Sequence, residues 1–289
     1  MNIVDFLNEY RIENRTEGHE HCRSGWVQID CPFCSPASGR FRLGINISYL
    51  YGNCWHCGSH ALPSLLKILL GPRYPQAKKL LQGLRPERIE RPEHAGKYTE
   101  PSNVVGLLGP HKRYLRDRGF NPTNLERLWH IRSIGIASRL SWRVFIPIIH
   151  HGTPVSWTTR SIGTCDHAKY ISAEPEQETI PHKHLLYGED YCRHAVVVCE
   201  GPIDVWGIGP GAVATFGMDN LSEQVERIAK YPVRAVCYDN EPDAQRRAKK
   251  LADRLSVLPG DTYNITLDSK DPGEATRKEI ERIRREILS

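Results

Sequence analysis

The amino-acid sequence predicts an α/β protein in three parts: a small β zinc ribbon, then a mixed α+β region, then a parallel α/β domain. Three observations predict it. Two Cys-x-x-Cys pairs lie within the first sixty residues. A helix-like segment followed by short strand-like runs occupies the middle of the chain. In about the last hundred residues, short apolar runs alternate with helical patterns, which is typical of a parallel sheet covered on both faces.

The composition is that of a mildly basic globular chain. Its 289 residues include 39 Lys and Arg against 34 Asp and Glu, a formal net charge of +5. Arg85–Lys169 carries fourteen basic and seven acidic residues, which suits either a phosphate-binding surface or a solvated linker. The N-terminus has no signal-peptide pattern, and no apolar run approaches the roughly 20 residues of a membrane span. We therefore expect a cytoplasmic protein with no membrane partner, whose cysteines stay reduced and favour metal binding.

The two cysteine pairs predict a structural zinc site. Two residues between thiolates let one tight turn present both sulfurs to one ion, and two such turns complete a tetrahedral shell. The nineteen residues between the pairs suit a small ribbon with strands over Trp26–Ile29, Arg40–Ile47 and Tyr49–Asn53. A closed shell of four thiolates makes the metal structural rather than catalytic. The predicted ligands are Cys31, Cys34, Cys54 and Cys57.

Other interpretations of these cysteines are unligated reduced thiols or a redox pair, and the presence of two matched pairs disfavours the second. Five further residues near the pairs could ligate a metal but are expected to be ordinary surface: His19, His21, Cys22, His56 and His60. Of these, His56 is the one placed to replace a thiolate, because it lies inside the second pair.

The ribbon also carries arginines and aromatic rings, a combination that suits single-stranded nucleic acid. We assign Arg40 and Arg42 to the binding of single-stranded nucleic acid, within the strand predicted there. The nearby rings are Trp26, Tyr49, Tyr51 and Trp55. The alternative for the rings is that they fill the small ribbon core, and we favour that interpretation for Trp55 and Phe33.

Composition and periodicity divide the chain into four predicted segments. These are a ribbon domain over 1–84, a Pro-, Arg- and Glu-rich linker over 85–104, a mixed basic region over 105–190 and an α/β domain over 191–289. The predicted helices are Ile3–Tyr10, Leu62–Leu84 with an interruption at Gly71-Pro72, Lys112–Arg118, Pro202–Ile208, Leu221–Lys230 and Asp243–Leu258. The predicted strands beyond the ribbon are Val144–Ile149, Val155–Thr159, Ala195–Cys199, Val213–Phe216, Val233–Tyr238 and Thr262–Leu267.

Acidic side chains follow three of the C-terminal strands. Because parallel strands end at one sheet edge, where doubly wound folds place their sites, we expect the acids to converge there. Their mutual repulsion would be relieved by divalent cations, and hard oxygen ligands favour Mg²⁺ or Mn²⁺. Two such ions can support an in-line phosphoryl transfer. For each acid taken singly, a helix cap or solvated turn is the simpler interpretation. The six acids are Glu200, Asp204, Asp239, Glu241, Asp268 and Asp271.

These acids carry a family resemblance. Glu200-Gly-Pro-Ile-Asp204, Asp239-Asn-Glu241 and Lys270-Asp271-Pro272 resemble the three acidic motifs of the Toprim domain, which primases, topoisomerases and some nucleases share. The resemblance therefore implies a Toprim-type parallel α/β domain. It also implies that Glu200 is the acid/base or metal-organising carboxylate, that Asp239, Glu241 and Asp271 hold the metals, and that Asp204 supports them.

The rest of the chain resembles bacterial and phage-type DNA primases in the same order. The Cys31-Pro-Phe-Cys34 knuckle resembles the zinc-binding domain of primases, and segments beginning at Arg143, Arg160 and Lys169 resemble the basic half of their catalytic core. The resemblance implies synthesis of short RNA primers from ribonucleoside triphosphates on single-stranded DNA. It further implies that these three basic residues contact the template or the nucleotide phosphates.

Three features depart from the family pattern. Glu241 stands where the second motif usually has Asp, and Gly273 stands where the third motif usually has a second acid, with Glu274 next to it. The ribbon has four cysteines where many bacterial primases have one histidine. The chain ends at Ser289, soon after the third motif, so we expect a minimal primase of phage or plasmid type that works with a separate replicative helicase or with none.

Two other functions stay open on the sequence. A Toprim nuclease would use the same acids and metals to cut phosphodiester bonds, and a non-catalytic zinc-ribbon protein would only bind nucleic acid. The ribbon and the basic middle region favour synthesis, because a template must be held while nucleotides are added. A type IA topoisomerase is disfavoured because the chain lacks the length for its strand-passage ring.

Overall fold

The computed structural model describes residues 1–19, 22, 25–48, 50–84, 96–136, 139–163, 168–217 and 221–289. Its contacts divide the chain into two compact units. Unit 1 comprises Met1–Pro92 with Asp253–Pro259, and unit 2 comprises Glu93–Ala252 with Gly260–Ser289. Within the described residues, no helix combines the length and the apolar character needed to cross a membrane.

Unit 1 contains a five-stranded antiparallel sheet with its strands in sequence order. The strands are β1 (Asn14–Arg15), β2 (Trp26–Ile29), β3 (Leu43–Asn46), β4 (Tyr51–Cys54) and β5 (Gly58–Ala61). Strand β2 has the predicted bounds. The strand predicted from Arg40 begins only at Leu43, because the backbone at Phe41 has a positive φ of 46° that extended pairing does not allow. Tyr49, where another strand was predicted to begin, lies outside the described residues.

Three helices pack in the core of this unit: α1 (Ile3–Glu9), α2 (Leu62–Leu70) and α3 (Tyr74–Gln82). The Asn2 side chain caps α1 by accepting the Asp5 N–H at 2.8 Å. The predicted interruption at Gly71-Pro72 is confirmed, since Gly71 has φ 51° and a 3₁₀ turn over Gly71–Arg73 separates α2 from α3. Buried leucines of α2 share one core with Cys31, Cys54 and the sheet, so the cysteine pairs are attached to a packed framework.

Unit 2 begins with a second five-stranded antiparallel sheet in the order β10-β9-β8-β7-β6. Its strands are β6 (Val104–Val105), β7 (Arg132–Ile134), β8 (Arg143–His150), β9 (Thr153–Ser161) and β10 (Tyr170–Ser172), and its helices are α4 (Gly109–Asp117) and α5 (Pro122–Trp129). Short 3₁₀ helices follow at Pro175–Gln177, His182–His184 and Glu189–Tyr191.

Of the predicted linker, residues 85–95 lie outside the described part of the chain. Residues 96–104 hydrogen-bond within unit 2, where the N–H groups of Lys97 and Thr99 donate to the carbonyls of Glu176 and Gln177 at 3.2 Å each. The Trp157 indole also donates to the Thr99 carbonyl at 2.9 Å. The bounds of the four predicted segments stay predictions.

A four-stranded sheet in the order β12-β11-β13-β14 completes unit 2, with all its pairings parallel. The strands are β11 (Ala195–Cys199), β12 (Ala212–Ala214), β13 (Val233–Val236) and β14 (Asp261–Asn264). The helices are α6 (Pro202–Ile208), α7 (Ser222–Ala229), α8 (Pro242–Ser256) and α9 (Arg277–Ile283), continued by a π-helix over Arg284–Leu288. The last residues of α8, from Asp253 on, are assigned to unit 1. Every residue of β11 is buried, as expected for a strand covered on both faces. The predicted fold class is confirmed.

Candidate functional site

The four predicted zinc ligands meet in unit 1. Cys31 and Cys34 lie in the turn after β2, Cys54 ends β4, and Cys57 precedes β5. All four Sγ atoms lie within 4.8 Å of one another, with Cys31 to Cys57 at 3.4 Å and Cys34 to Cys54 at 3.7 Å. Sulfurs bound tetrahedrally at about 2.3 Å from one zinc ion are about 3.8 Å apart. The chain therefore has the predicted four-cysteine zinc site.

The electrostatics of this site also fit a bound dication. Burial and the neighbouring thiols Cys31, Cys34 and Cys54 raise the pKa of Cys57, because thiolates packed together repel one another. Burial opposes ionisation of Cys54 too, but hydrogen bonds from the N–H groups of Cys57 and His56 lower its pKa on balance. A zinc ion would remove the repulsion and hold all four as thiolates.

The rings around the zinc site differ from the sequence prediction. Phe33 and Trp55 are 37% and 50% exposed, so the prediction that they fill the core was wrong. Each lies between the two cysteines of its knuckle, and the sulfurs that turn inward force these side chains outward. The His60 ring stacks on Phe33 at 3.8 Å and its Nε2 lies 3.1 Å from the Cys57 Sγ. His60 is therefore a neighbour of the zinc site rather than ordinary surface.

Arg40 and Arg42 lie in the loop before β3, not in a strand as predicted. The Asp30 carboxylate shapes this loop by accepting the N–H groups of Gly39 at 2.6 Å and Phe41 at 2.9 Å. Arg40 is exposed and Arg42 is half-buried. Their assignment to template binding stays a prediction.

In unit 2, the predicted acids are carried by the C-terminal ends of parallel strands. Glu200 directly follows β11, Asp204 lies in the first turn of α6, and Asp239 follows β13. The Asn240 N–H donates to the Lys270 carbonyl at 2.7 Å, and its amide donates to the Leu267 carbonyl at 2.8 Å. These bonds tie the loop of the second acidic motif to the loop of the third.

Two glycines allow these loops to pack closely. A Cβ on Gly207 of α6 would lie 2.2 Å from the Pro272 carbonyl oxygen, so only glycine lets α6 approach the third loop. A Cβ on Gly273 would lie 3.3 Å from the Oδ1 atoms of both Asp204 and Asp271. A side chain at position 273 would therefore crowd both carboxylates.

The carboxylates repel one another across this edge. Burial, then the charges of Glu200, Asp271 and Glu241, raise the pKa of Asp239 to about 6. Burial, then the charges of Asp239, Asp271 and Glu200, raise that of Asp204 to about 7, although a hydrogen bond from the Gly201 N–H opposes the rise. Five of the six predicted acids therefore interact. The Asp268 side chain is exposed, and its backbone N–H donates a hydrogen bond to the Glu279 carboxylate.

The donor set of this edge fits a divalent cation. The Asp239 Oδ1 is buried and makes no hydrogen bond within the described structure, which leaves a carboxylate oxygen free to bind a metal. Within the described residues, no group of three carboxylates brings its oxygens within 4.8 Å of one another. That spacing suits Mg²⁺, which keeps several waters and uses few protein ligands.

Arg247 of α8 is a residue that the sequence analysis missed. Its Nη2 lies 3.1 Å from both carboxylate oxygens of Glu200, and its buried Nε makes no hydrogen bond within the described structure. The sequence feature that could have identified Arg247 is its position in the first turns of the helix that follows the second acidic motif.

Two of the predicted basic residues lie near the acids. The positive charge of Lys169 lowers the pKa of Asp239 against the burial that raises it. Arg160, predicted to contact the template or the nucleotide phosphates, is only 8% exposed. Its guanidinium lies over the Tyr170 ring at 5.0 Å and donates to the Tyr114 hydroxyl at 3.2 Å, so in this conformation it faces protein. A Cβ on Gly201 would lie 3.5 Å from the Tyr170 hydroxyl. The antiparallel sheet thus brings positive charge and an aromatic ring to the first acidic motif.

Arg143 faces protein rather than solvent. It is 2% exposed, and its guanidinium donates to the Thr159 hydroxyl at 2.8 Å and to the carbonyls of Ala168 and Lys169 at 2.7 and 3.0 Å. In this conformation Arg143 does not reach a template. It holds the backbone at Lys169 instead, a positioning role that the sequence did not predict.

The sequence matches no protein-family model and no curated protein. Among solved structures, the chain is similar to the Aquifex aeolicus primase (zinc-binding and RNA polymerase domains), with a TM-score of 0.54 at 17% identity over 99% of this chain and 82% of that chain. The chain has a primase fold.

Two further primase structures are similar over part of the fold. The E. coli primase catalytic core has a TM-score of 0.49 at 18% identity, covering 59% of this chain and 69% of that one. The primase fragment of the bacteriophage T7 primase-helicase protein has a TM-score of 0.45 at 14% identity, covering 88% and 96%. We base the fold assignment on the Aquifex structure, which includes the zinc-binding domain as well.

Glu279 organises the third acidic loop of this primase fold, and the sequence analysis did not identify it. Its carboxylate accepts hydrogen bonds from the N–H groups of Asp268, Ser269 and Thr276 and from the hydroxyls of Ser269 and Thr276, at 2.5–3.1 Å. Hydrogen bonds from Ser269 and Thr276 lower the pKa of Glu279 to about 2 against partial burial. The sequence feature that could have identified Glu279 is the Thr276-x-x-Glu279 capping box at the start of α9.

Proposed function

We propose that this protein is a DNA primase, a nucleotidyltransferase that makes short RNA primers on single-stranded DNA with Mg²⁺ or Mn²⁺. The observation that carries the proposal is the environment of Asp239. Its buried Oδ1 has no hydrogen-bond partner in the described structure, and the charges of Glu200, Asp271, Glu241 and Lys169 all act on it. A triphosphate that carries a divalent cation requires carboxylate oxygens to hold the cation and a positive side chain such as lysine to contact the phosphates.

In this proposal Glu200, Asp239, Glu241 and Asp271 hold the divalent cation or cations, with Asp204 behind them. A bound cation would neutralise the triphosphate and favour the ionised form of the attacking 3′-hydroxyl. The 3′-oxygen bonds to the α-phosphorus of the incoming ribonucleotide while the bond from that phosphorus to the pyrophosphate oxygen breaks, so pyrophosphate leaves and the hydroxyl proton passes to water. Gly273 offers no side chain to a cation, and Glu241 is exposed.

The basic residues have separate tasks. Lys169, exposed and electrostatically coupled to Asp239, neutralises phosphate oxygens of the nucleotide. Arg160 is 8% exposed and is held by Tyr170 and Tyr114, so it adds positive charge at the first motif without a direct contact to a phosphate or a base. Arg143 positions Lys169 through the backbone carbonyl that it binds.

The ribbon contributes template binding. Zinc holds the two knuckles in a fixed geometry and does no chemistry, since four thiolates close its shell. The exposed rings of Phe33 and Trp55 and the cation of Arg40 offer stacking and phosphate contacts to single-stranded bases. The expected partners are thus single-stranded DNA and ribonucleoside triphosphates, together with a separate replicative helicase where one is present.

One assay tests this proposal. The full chain is incubated with single-stranded DNA, labelled ribonucleotides and Mg²⁺ or Mn²⁺, and the products are resolved by size. Short RNA that depends on the template supports a primase. Shortened DNA would instead identify a nuclease, and unchanged DNA without RNA would identify a nucleic-acid-binding protein.

A further inference from the structure

A second group of metal-ligating side chains lies away from the zinc ribbon and from the acidic edge. His150 ends strand β8, His151 is in the hairpin turn that follows, and Asp190 is in the 3₁₀ helix Glu189–Tyr191. One ligand atom from each of the three lies within 4.8 Å of the other two. All three residues belong to unit 2.

The backbone of the hairpin creates this arrangement. Strands β8 and β9 pair His150 with Thr153, so the turn consists of His151 and Gly152 alone. Both have positive φ, 52° and 74°, the conformation of a tight two-residue hairpin turn whose first position is most often Asn, Asp or Gly. The turn brings the rings of His150 and His151 to 4.1 Å between centroids, although adjacent residues in a regular strand face opposite sides.

Asp190 joins the turn to the chain that leads into β11. Its Oδ1 accepts the His151 N–H at 3.0 Å and its Oδ2 accepts the Gly152 N–H at 2.7 Å. Each carboxylate oxygen has a further lone pair, so these hydrogen bonds orient the carboxylate without preventing it from binding a cation. The turn and the carboxylate are therefore fixed relative to each other.

The charges around the group permit a cation. Arg227 and Lys230 both act electrostatically on His150, and Arg227 is paired with Glu189 at 2.8 Å, which neutralises it. Asp190 supplies the negative charge nearest to the two imidazoles. Its 3₁₀ helix precedes the N-terminal end of β11, whereas Glu200 follows the C-terminal end, so this group is separate from the acidic edge.

We propose that His150, His151 and Asp190 form a second metal site, which binds one first-row transition dication of the Zn²⁺, Ni²⁺ or Co²⁺ class. Two imidazole nitrogens and one carboxylate oxygen suit these ions better than Mg²⁺ or Ca²⁺, which favour oxygen alone. Three ligands leave the remaining positions to water, and a bound ion would fasten the β8–β9 hairpin to the segment before β11.

Ni²⁺ is the probe for this site. The untagged full chain, with zinc already in the ribbon and excess Mg²⁺ to occupy the acidic edge, is titrated with Ni²⁺ by calorimetry. We expect one Ni²⁺ per chain, a higher melting temperature, and no thiolate-to-nickel charge-transfer band. A chain that binds no Ni²⁺, or binds it with that band, would overturn the proposal.

The key variant is His151→Asn, since asparagine tolerates the positive φ of the turn. It should weaken Ni²⁺ binding at least tenfold, and His150→Gln should do the same. The matched control is His130→Asn, because His130 is also exposed with a positive φ of 54° but lies outside the group. Ni²⁺ binding that is unchanged in both His150 and His151 variants, or lost equally in the His130 variant, would refute the site. Unchanged zinc content and circular dichroism would show that each variant is folded.

Discussion

Arg247 binds both carboxylate oxygens of Glu200 through one guanidinium nitrogen, at 3.1 Å each. The pair connects α8, which follows the second acidic motif, to the end of β11, which carries the first. Both side chains are largely shielded from solvent, at 26% and 19% exposure, so the interaction is stronger than a surface ion pair. Arg247 thus supplies positive charge to a cluster that otherwise repels itself.

Replacing Arg247 with alanine should change both metal and nucleotide binding. Without its charge, Glu200 becomes a better cation ligand, and Mn²⁺ should bind several-fold more tightly in an electron paramagnetic resonance titration. If the triphosphate binds at the acidic edge as proposed, the nucleotide KM should rise about tenfold, which corresponds to ~1.4 kcal/mol of lost binding, because the positive charge of the guanidinium is gone. Arg246→Ala is the control, since Arg246 is its exposed neighbour. Equal effects in both variants would argue against a specific role for Arg247.

Glu200→Gln and Asp239→Asn should each reduce RNA synthesis by about a thousandfold or more, because each removes a negative ligand that the proposed function assigns to the catalytic cation. The exposed acid Asp268, changed to asparagine, is the matched control and should keep most of its activity. Primer synthesis is measured by gel, with zinc content and circular dichroism as checks on folding. Activity that persists in both active-site variants would place the chemistry elsewhere.

Asp204→Asn should stabilise the chain at high pH when no divalent cation is added. The ordinary pKa of Asp204, 3.8, is raised to about 7 in the folded protein, so the folded state disfavours the charged form. The free energy of unfolding therefore falls as pH rises from about 4 to about 7, and this loss is complete above the folded pKa. Urea denaturation at about pH 8 should show the variant more stable by ~1–3 kcal/mol.

At about pH 4 the difference between Asp204→Asn and the native chain should disappear, because the native carboxyl is then protonated in the folded state. Asparagine can still accept the Gly201 N–H that Asp204 accepts at 2.9 Å, so the α6 cap survives. A variant less stable than the native chain at both pH values would show that Asp204 acts as a cap and not as a buried charge.

Cys31→Ser should release zinc from the ribbon, since one thiolate of four is lost, and should cost several kcal/mol of ribbon stability. We expect template-directed initiation to fall while Mn²⁺ binding at the acidic edge is unchanged. Zinc is measured by a chromogenic chelator after denaturation, and Cys192→Ser, outside the cluster, is the control. Normal initiation by zinc-free Cys31→Ser would refute the template-binding role of the ribbon.

Glu279→Gln should destabilise the third acidic loop. The native carboxylate accepts from three N–H groups and two hydroxyls, and a neutral amide accepts them more weakly, so we expect a loss of ~1–3 kcal/mol at neutral pH. The pKa of Glu279 is lowered to about 2, so its contribution is present above the ordinary value of 4.5 and is lost as pH falls toward 2. Glu281→Gln, in an exposed pair with Arg277, should have little effect in the same denaturation series.

The sequence predicted the strand β11 and the helix α6 with their observed bounds, because five consecutive apolar residues and then Gly201-Pro202 are strong local signals. It overextended β13 and β14 to Tyr238 and Leu267. Those side chains are buried beyond the end of the strands. Apolar residues in the sequence indicate which side chains are buried. Only the tertiary structure shows where the hydrogen bonds between neighbouring strands end.

The sequence by itself determined the zinc ligands, the parallel α/β class and the identity of the acids, since each depends on spacing along the chain or on local periodicity. Tertiary structure decided which acids interact, that Arg247 neutralises Glu200, that Arg143 is buried, and that His150, His151 and Asp190 meet. Those relationships join residues between one and about seventy positions apart through turns and loop packing. No periodic pattern encodes such contacts, because they arise from the close approach of separate elements.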